Sequence, residues 1–244
     1  MKLINKTDYR RYISYAEQVS FCRVFPMSVA EGFQSGSIYE SGNCILIRHK
    51  NNFSFLIGTP GEAELHEIHE LIISENLKFL CKDNYICEAM SALGGVELIP
   101  RDIYSYPAGS APGFSIPGGF SARNIDKELF ERITGRVPPS MYWDDHVQFS
   151  HYGSGICVMH GSEPASWAFS SAVSSDEIDI GIETSEAYRH TGLTYAAAAA
   201  MINKILPLRR PTWTCQRSNL GSAHIAEKLG FIKTAECTMI RKPF

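Results

Sequence analysis

The chain has 244 residues, 44% hydrophobic and 20% charged, enough to bury the core of one large domain or two small ones. A formal net charge of -3 supplies no strong positive field, which argues against non-specific nucleic-acid binding. Met1–Lys6 lacks a signal-like apolar run, and the longest apolar stretch, Tyr195–Ile202, is far shorter than the ~18 residues of a membrane span, so the expectation is a cytoplasmic protein with no membrane partner.

Cys44–His49 and Phe53–Ile57 are predicted to form a hairpin through Asn51-Asn52, residues that tolerate positive φ. Thr59-Pro60-Gly61-Glu62 has the pattern of a capping box with proline at the first helical position, and Leu65, Ile68, Leu71 and Ile72 then share one helical face. Lys78–Cys81 reads as a strand, Asp83 as the cap of a helix ending at Gly94-Gly95, and Val96–Ile99 as a strand stopped by Pro100. The Pro/Gly/Ser density of residues 107–113, followed by Pro117-Gly118-Gly119, marks a loop or linker. A glycine-rich phosphate cradle is the alternative there, but no strand–loop–helix pattern with a lysine surrounds it. The break sets the expected domains at 1–117, an accessory α/β unit, and 118–244.

Beyond the break, Ile125, Leu129 and Ile133 recur at helical spacing, and a second helical stretch covers about Ser140–Phe149. Three strands are expected at Gly155–His160, Ala165–Val173 and Glu177–Thr184, antiparallel because their turns are short. A helix over Leu193–Leu206 is stopped by Pro207. Trp213–Cys215 follows as a short strand, then a helix capped by Ser218 or Asn219 and ending at Gly230, and a last strand or hairpin over Phe231–Ile240. The fold class is α/β (α+β). Seven cysteines occur at scattered spacings with no Cys-x-x-Cys pair, so reduced thiols are expected rather than a zinc site, and those in apolar runs such as Cys44 and Cys157 act as small hydrophobes.

The chemistry concentrates in Glu177–Thr184, then Arg189-His190-Thr191-Gly192-Leu193-Thr194 and the long helix. A helix N-terminus leaves main-chain N–H groups unpaired and attracts negative charge. Gly192 allows close approach to the backbone, and Arg189 adds a permanent cation, an arrangement suited to a pyrophosphate. Glu183 and Asp179 share one face of their strand by period-two alternation, opposite Ile178, Ile180 and Ile182.

The loop resembles the Arg/Gln-x-x-Gly-x-Gly/Ala coenzyme A motif of the GNAT acetyltransferases, with Thr194 where that family usually has Gly or Ala. Trp213-x-Cys215-x-x-x-Asn219-x-x-Ser222, ending in Glu227-Lys228-Leu229-Gly230-Phe231, is similar to the family's second cofactor-contacting strand and helix. The combination of Ile-Glu-Thr before the loop and Trp-x-Cys-x-x-x-Asn-x-x-Ser after it resembles the subgroup that includes the zwittermicin A resistance acetyltransferase. The similarity covers about residues 120–244. It implies a mixed, mostly antiparallel sheet flanked by helices, preceded by a smaller unit whose hairpin–helix–strand–helix–strand order permits a divergent second copy.

The resemblance implies an N-acetyltransferase that uses acetyl-CoA, with an amine attacking the thioester directly. Cofactor contacts fall on Ile182, Glu183, Thr184, Arg189, His190, Thr191, Gly192, Leu193 and Thr194, with a main-chain N–H near Ile182–Thr184 as the oxyanion donor. Asn219 and Ser222 are implied contacts too, against the alternative that both merely cap their helix. Glu183 is the preferred base and Asp179 the second, the alternative for Glu183 being a structural carboxylate that accepts from neighbouring loops. The family's usual tyrosine acid is replaced by Ala226, which leaves water, His224 or Ser222 as substitutes and keeps a non-catalytic CoA-binding module in contention. The expected partner is a small-molecule amine acceptor, with a protein acceptor as alternative, and the expected state a monomer or homodimer.

Other patterns carry less. Tyr142-Trp143-Asp144-Asp145-His146 could hold a cationic amine or be a solvated helix face around a core tryptophan. His66-Glu67-Ile68-His69-Glu70 has its histidines three apart rather than four, which does not fit the zinc motif, and no metal is expected. No Gly-x-Ser-x-Gly elbow exists. Arg209-Arg210 reads as a polar turn, with a cofactor 3′-phosphate as the minor alternative.

Overall fold

The computed structural model describes residues 1–107 and 109–243; Ala108 of the expected linker and Phe244 lie outside the described residues. In chain order the elements are β1 (Lys2–Leu3), a 3-10 turn Lys6–Tyr12, α1 (Ile13–Ala16), α2 (Val24–Ala30), β2 (Gly36–Ser41), β3 (Cys44–His49), β4 (Phe53–Ile57), α3 (Glu62–Glu75), β5 (Lys78–Cys81), α4 (Asn84–Leu93) and β6 (Glu97–Ser105). They continue with β7 (Ser121–Asn124), α5 (Lys127–Arg132), α6 (His146–Tyr152), β8 (Gly155–His160), β9 (Glu163–Val173), β10 (Glu177–Thr184), α7 (Leu193–Ile205), β11 (Arg210–Gln216), α8 (Leu220–Leu229) and β12 (Ile232–Arg241). Two compact units emerge. The first is Met1–Ile103 with Thr214–Asn219 and Thr234–Phe244; the second is Tyr104–Trp213 with Leu220–Lys233.

In the first unit the strands run β1-β2-β3-β4-β5-β12-β6. β2, β3 and β4 form an antiparallel meander, β4 pairs with β5 in parallel, and β12 returns antiparallel to β5 through Cys81↔Thr238 and Phe79↔Ile240. The hairpin turns at Asn52, whose φ of +72° is the conformation asparagine tolerates. Leu65, Ile68 and Ile72 of α3 and Ile86 and Met90 of α4 pack with Leu46, Phe79 and Ile240 in one buried cluster. A second cluster holds α2 to the sheet, with the Phe25 ring 5.1 Å from Phe53 and edge-on to His49 at 5.3 Å.

In the second unit the order is β11-β10-β9-β8-β7, antiparallel except for β10 and β11. The sheet is therefore mixed and mostly antiparallel, as the sequence implied. Helix α7 packs on β8, β9 and β10. Ala196, Ala197, Ala198 and Ala199 are all buried in it, their short side chains bringing the helix close to the strands. Among the described residues no helix is long and apolar enough to cross a membrane, and the seven cysteines are all buried and joined in no disulfide.

Four local expectations are corrected. The cap of α3 is Gly61 rather than Thr59, because Glu64 reaches back to the Gly61 N–H at 3.0 Å, so the helix starts two residues later. Strand β6 runs through Pro100, which gives up only an N–H; its carbonyl still accepts from the Arg217 N–H at 2.9 Å. The stretch Ser140–Phe149 is broken into a 3-10 turn, Pro139–Met141, and α6, because the Asp145 carboxylate accepts from the Gln148 N–H at 2.8 Å and starts a new helix. Arg209-Arg210 is not simply a turn, since Arg210 opens β11 and pairs with Glu177.

Candidate active site

The phosphate-loop candidate follows β10. A short 3-10 turn, Glu186–Tyr188, leads into Arg189, and α7 begins after Gly192. His190 and Gly192 both have positive φ, +64° and +82°, a main-chain geometry that turns successive N–H groups toward one concavity. A Cβ on Gly192 would meet no atom within 4 Å, so glycine is required by the left-handed backbone and the space beside it is open. Gly192 offers α7 no side-chain cap, and among the described residues no acidic residue lies in its first turn. The N–H groups of Leu193, Thr194 and Tyr195 thus open the helix with its positive end exposed; the first intrahelical bond is donated by Ala196 to Gly192 at 3.1 Å. The Thr191 hydroxyl donates to the Tyr188 carbonyl at 2.5 Å and tightens the turn. Arg189 is half-exposed, 3.6 Å from Glu186, a contact that an incoming anion can replace at little cost.

Thr194 is tied into the sheet. Its hydroxyl is 2.6 Å from that of Thr184, which is 2.7 Å from that of Ser166, and Ser166 also donates to the Glu183 carbonyl at 3.1 Å. This chain of hydroxyls fixes the first turn of α7 to the ends of β9 and β10. It also identifies the faces of β10: Thr184, and by alternation Ile182, Ile180 and Ile178, look toward α7, so Glu183 and Asp179 look the other way.

The parallel pairing of β10 with β11 runs from Glu177↔Arg210 to Asp179↔Thr212 and no further, whereas pairing with β9 continues to Thr184. In the pairing with β9 a register shift between Asp179 and Ile180 marks a bulge, at the same point where the pairing with β11 ends. The Glu183 carbonyl and the Ser185 N–H are both used on the β9 side. By alternation the N–H groups of Ile182 and Thr184 point to the edge that β11 has left, the geometry needed of donors to a developing oxyanion.

Glu183 faces residues 135–137. Its Oε1 accepts from the Arg136 N–H at 3.2 Å and its Oε2 from the Val137 N–H at 2.8 Å. The Trp167 indole donates to the Val137 carbonyl at 3.0 Å, so the loop is latched from both sides. Gly135 has φ of +149°, and a Cβ there would lie 2.5 Å from Glu183 Oε2. Asp179 is buried between strands, with Oδ2 accepting from the Ser171 hydroxyl at 2.6 Å and Oδ1 from Thr212 at 3.3 Å. Between the two acids, Gly181 leaves room for the Phe169 ring, on which Tyr142 packs edge-on at 5.4 Å.

Ser222, on α8, accepts from the Trp213 indole at 3.1 Å. Asn219 belongs to the first compact unit, where its N–H donates to the Gln216 carbonyl at 2.9 Å immediately before α8. Ala226 is fully buried and its carbonyl accepts from the Phe231 N–H, while His224 is exposed. Within Tyr142–His146, Trp143 is buried with its indole donating to the Ser170 carbonyl, and Asp145 caps α6. The latch of Gly135, Arg136, Val137 and Trp167 escaped the sequence reading, because no local spacing relates residue 135 to residue 183.

Comparison with known proteins agrees with this architecture. A Bacillus subtilis (strain 168) protein described as the uncharacterized N-acetyltransferase YdfB is 24% identical over 261 residues, covering 98% of each chain. The crystal structure of a GCN5-related N-acetyltransferase-like protein from Streptococcus suis 89/1591 superposes with a TM-score of 0.78 at 23% identity, covering 98% of this chain and all of that one. A tandem GNAT protein from the clavulanic acid biosynthesis pathway gives a TM-score of 0.61 at 12% identity over 98% of this chain and 96% of its own. A sequence model of the GNAT acetyltransferases matches residues 111–240, more than half of the chain and all of the β7–α8 region just described, so the protein belongs to the GNAT acetyltransferase family.

Proposed function

We propose that this enzyme transfers the acetyl group of acetyl-CoA to a primary amine of a small molecule, by direct attack of the amine on the thioester. Acetyl-CoA, when bound, supplies an activated acyl group with a thiolate leaving group. The protein's part is to seat the pyrophosphate on the N–H groups opening α7 beside Arg189, with His190, Thr191 and Gly192 shaping the turn. The N–H groups of Ile182 and Thr184 face the parted strand edge and stabilise negative charge there. Glu183 takes the amine proton, directly or through a water; each of its oxygens accepts one main-chain N–H and keeps a further lone pair. Asp179 is second choice, being buried and already engaged with Ser171 and Thr212. Asn219 and Ser222 complete the cofactor contacts. Catalysis is assigned to residues 118–244, with 1–117 accessory. The likeness of the Ile-Glu-Thr and Trp-x-Cys-x-x-x-Asn-x-x-Ser patterns to the zwittermicin A resistance subgroup favours an amino-bearing natural product as acceptor.

The observation that carries the reading is the uncapped, acid-free start of α7 behind two left-handed residues and an arginine. Calorimetry with CoA and acetyl-CoA tests it. Gly192→Asp places a carboxylate and a Cβ in the open concavity, and binding is expected to vanish; wild-type affinity in a folded variant refutes the loop assignment. Glu183→Gln is expected to lower turnover at neutral pH with acetyl-CoA affinity retained, and unchanged turnover removes Glu183 as the base. A screen of amines read by release of free CoA separates catalysis from mere cofactor binding.

A further inference from the structure

The loop that latches Glu183 also carries a cation. Arg136 donates its main-chain N–H to Glu183 Oε1 at 3.2 Å, and its side chain turns back so that Nε lies 4.0 Å from the same oxygen. The Glu183 side chain is 12% exposed, whereas that of Arg136 is 83% exposed. The two arginines that precede it in sequence are held in place: Arg123 pairs with Asp126, and Arg132 with Glu128 and the Ser162 carbonyl. Arg136 has no such anchor among the described residues. A separation of 4.0 Å is too long for a hydrogen bond, and an ion pair this exposed holds its partners weakly. A fixed main chain thus presents a loose guanidinium beside the proposed base.

This pair of opposite charges discriminates among amines. A primary amine at neutral pH arrives as an ammonium. Glu183 attracts it and Arg136 repels it at similar range, which leaves little net field for a simple monocation. A carboxylate next to the ammonium reverses the second term. The ammonium then meets Glu183, and the carboxylate meets the planar fork of Arg136. In an α-amino acid both charged groups sit on one carbon, a spacing that matches two protein charges in near contact, so the four charges alternate in sign.

We propose that Arg136 selects the acceptor and that the acceptor is an α-amino acid acetylated on its α-amine, a selection that rests on acetyl transfer with Glu183 as the base. The ammonium gives one proton to Glu183, which passes it to solvent. The amine attacks the thioester carbon and displaces the CoA thiolate, and the second nitrogen proton leaves by the same route. The carboxylate is unchanged and stays on Arg136.

The test measures release of free CoA from acetyl-CoA with the standard amino acids and, for each, the matching amide. An amide has the more readily deprotonated amine, so a preference for the acid cannot come from basicity. The unsubstituted chain should favour at least one acid over its amide by on the order of tenfold or more in kcat/KM. Arg136→Gln keeps the main-chain N–H that latches Glu183. It should erase the preference by raising the KM of the acid, with acetyl-CoA affinity retained. Arg136→Lys should restore part of the preference, and Arg136→Glu should turn it toward the amides. The inference fails if the unsubstituted chain uses amides as well as acids, or if Arg136→Gln lowers both by the same factor. Release with other amines but with neither series sinks this inference alone. Release with no amine at all sinks acetyl transfer, and this inference with it.

Discussion

At the scale of single residues, Thr194 shows how a departure from a motif is absorbed. Where the family's loop usually has Gly or Ala, this chain has a hydroxyl that bonds Thr184 and through it Ser166. Thr194→Ala restores the common residue and removes that bond. It should cost about 1 kcal/mol in a denaturation experiment and leave acetyl-CoA affinity unchanged, since the N–H groups of the turn remain. Gly135 is the reverse case, a residue of no apparent interest in the sequence. Gly135→Ala forces a Cβ against the Glu183 carboxylate, so the latch on residues 136 and 137 must open. With the proposed amine acceptor, its KM should rise or turnover fall while cofactor affinity holds, and steady-state kinetics beside calorimetry check this. The loop from Arg189 to Thr194 was legible because main-chain chemistry is local. The surroundings of Glu183 were not, because they depend on a loop 46 residues away in sequence at its closest bond.

Whole elements show a repetition that single residues hide. The order β4–α3–β5–α4 is matched by β10–α7–β11–α8, and in each the two strands pair in parallel over three residue pairs. The helices between them begin differently. At α3 the Gly61 N–H is taken by the Glu64 carboxylate, and Glu62 adds a second negative charge to the first turn. At α7 the cap is Gly192, without a side-chain bond, and among the described residues the first turn has no acid. An anion is therefore repelled from the first helix and attracted to the second, and calorimetry should give one cofactor per chain; two sites of comparable affinity would contradict this electrostatic distinction. The sequence predicted α4, α7 and α8 well, because Asp83, Gly192 and Gly230 punctuate them locally. It placed the end of β6 wrongly at Pro100, because the Pro100 carbonyl accepts from the N–H of the distant Arg217 and keeps that strand paired. It merged two elements across Ser140–Phe149, because the cap at Asp145 lies inside an otherwise helical composition.

For the molecule as a whole, the net charge of -3 sets a test of where the attraction resides. A chain that is negative overall gains nothing at long range from meeting a polyanion, so the favourable field must be local to Arg189 and the end of α7. Such a field is screened over about 10 Å at 0.1 M salt, and acetyl-CoA affinity should weaken several-fold as salt is raised. Affinity indifferent to salt would place the binding energy elsewhere.

The return of β12 to β5 has a temporal meaning. Leu80 and Phe79 must wait for Met239 and Ile240, so β5 keeps an open flank until a strand far downstream in sequence has been made. A fragment stopped after residue 117 should bind chaperones and aggregate, whereas one that includes β12 closes that flank.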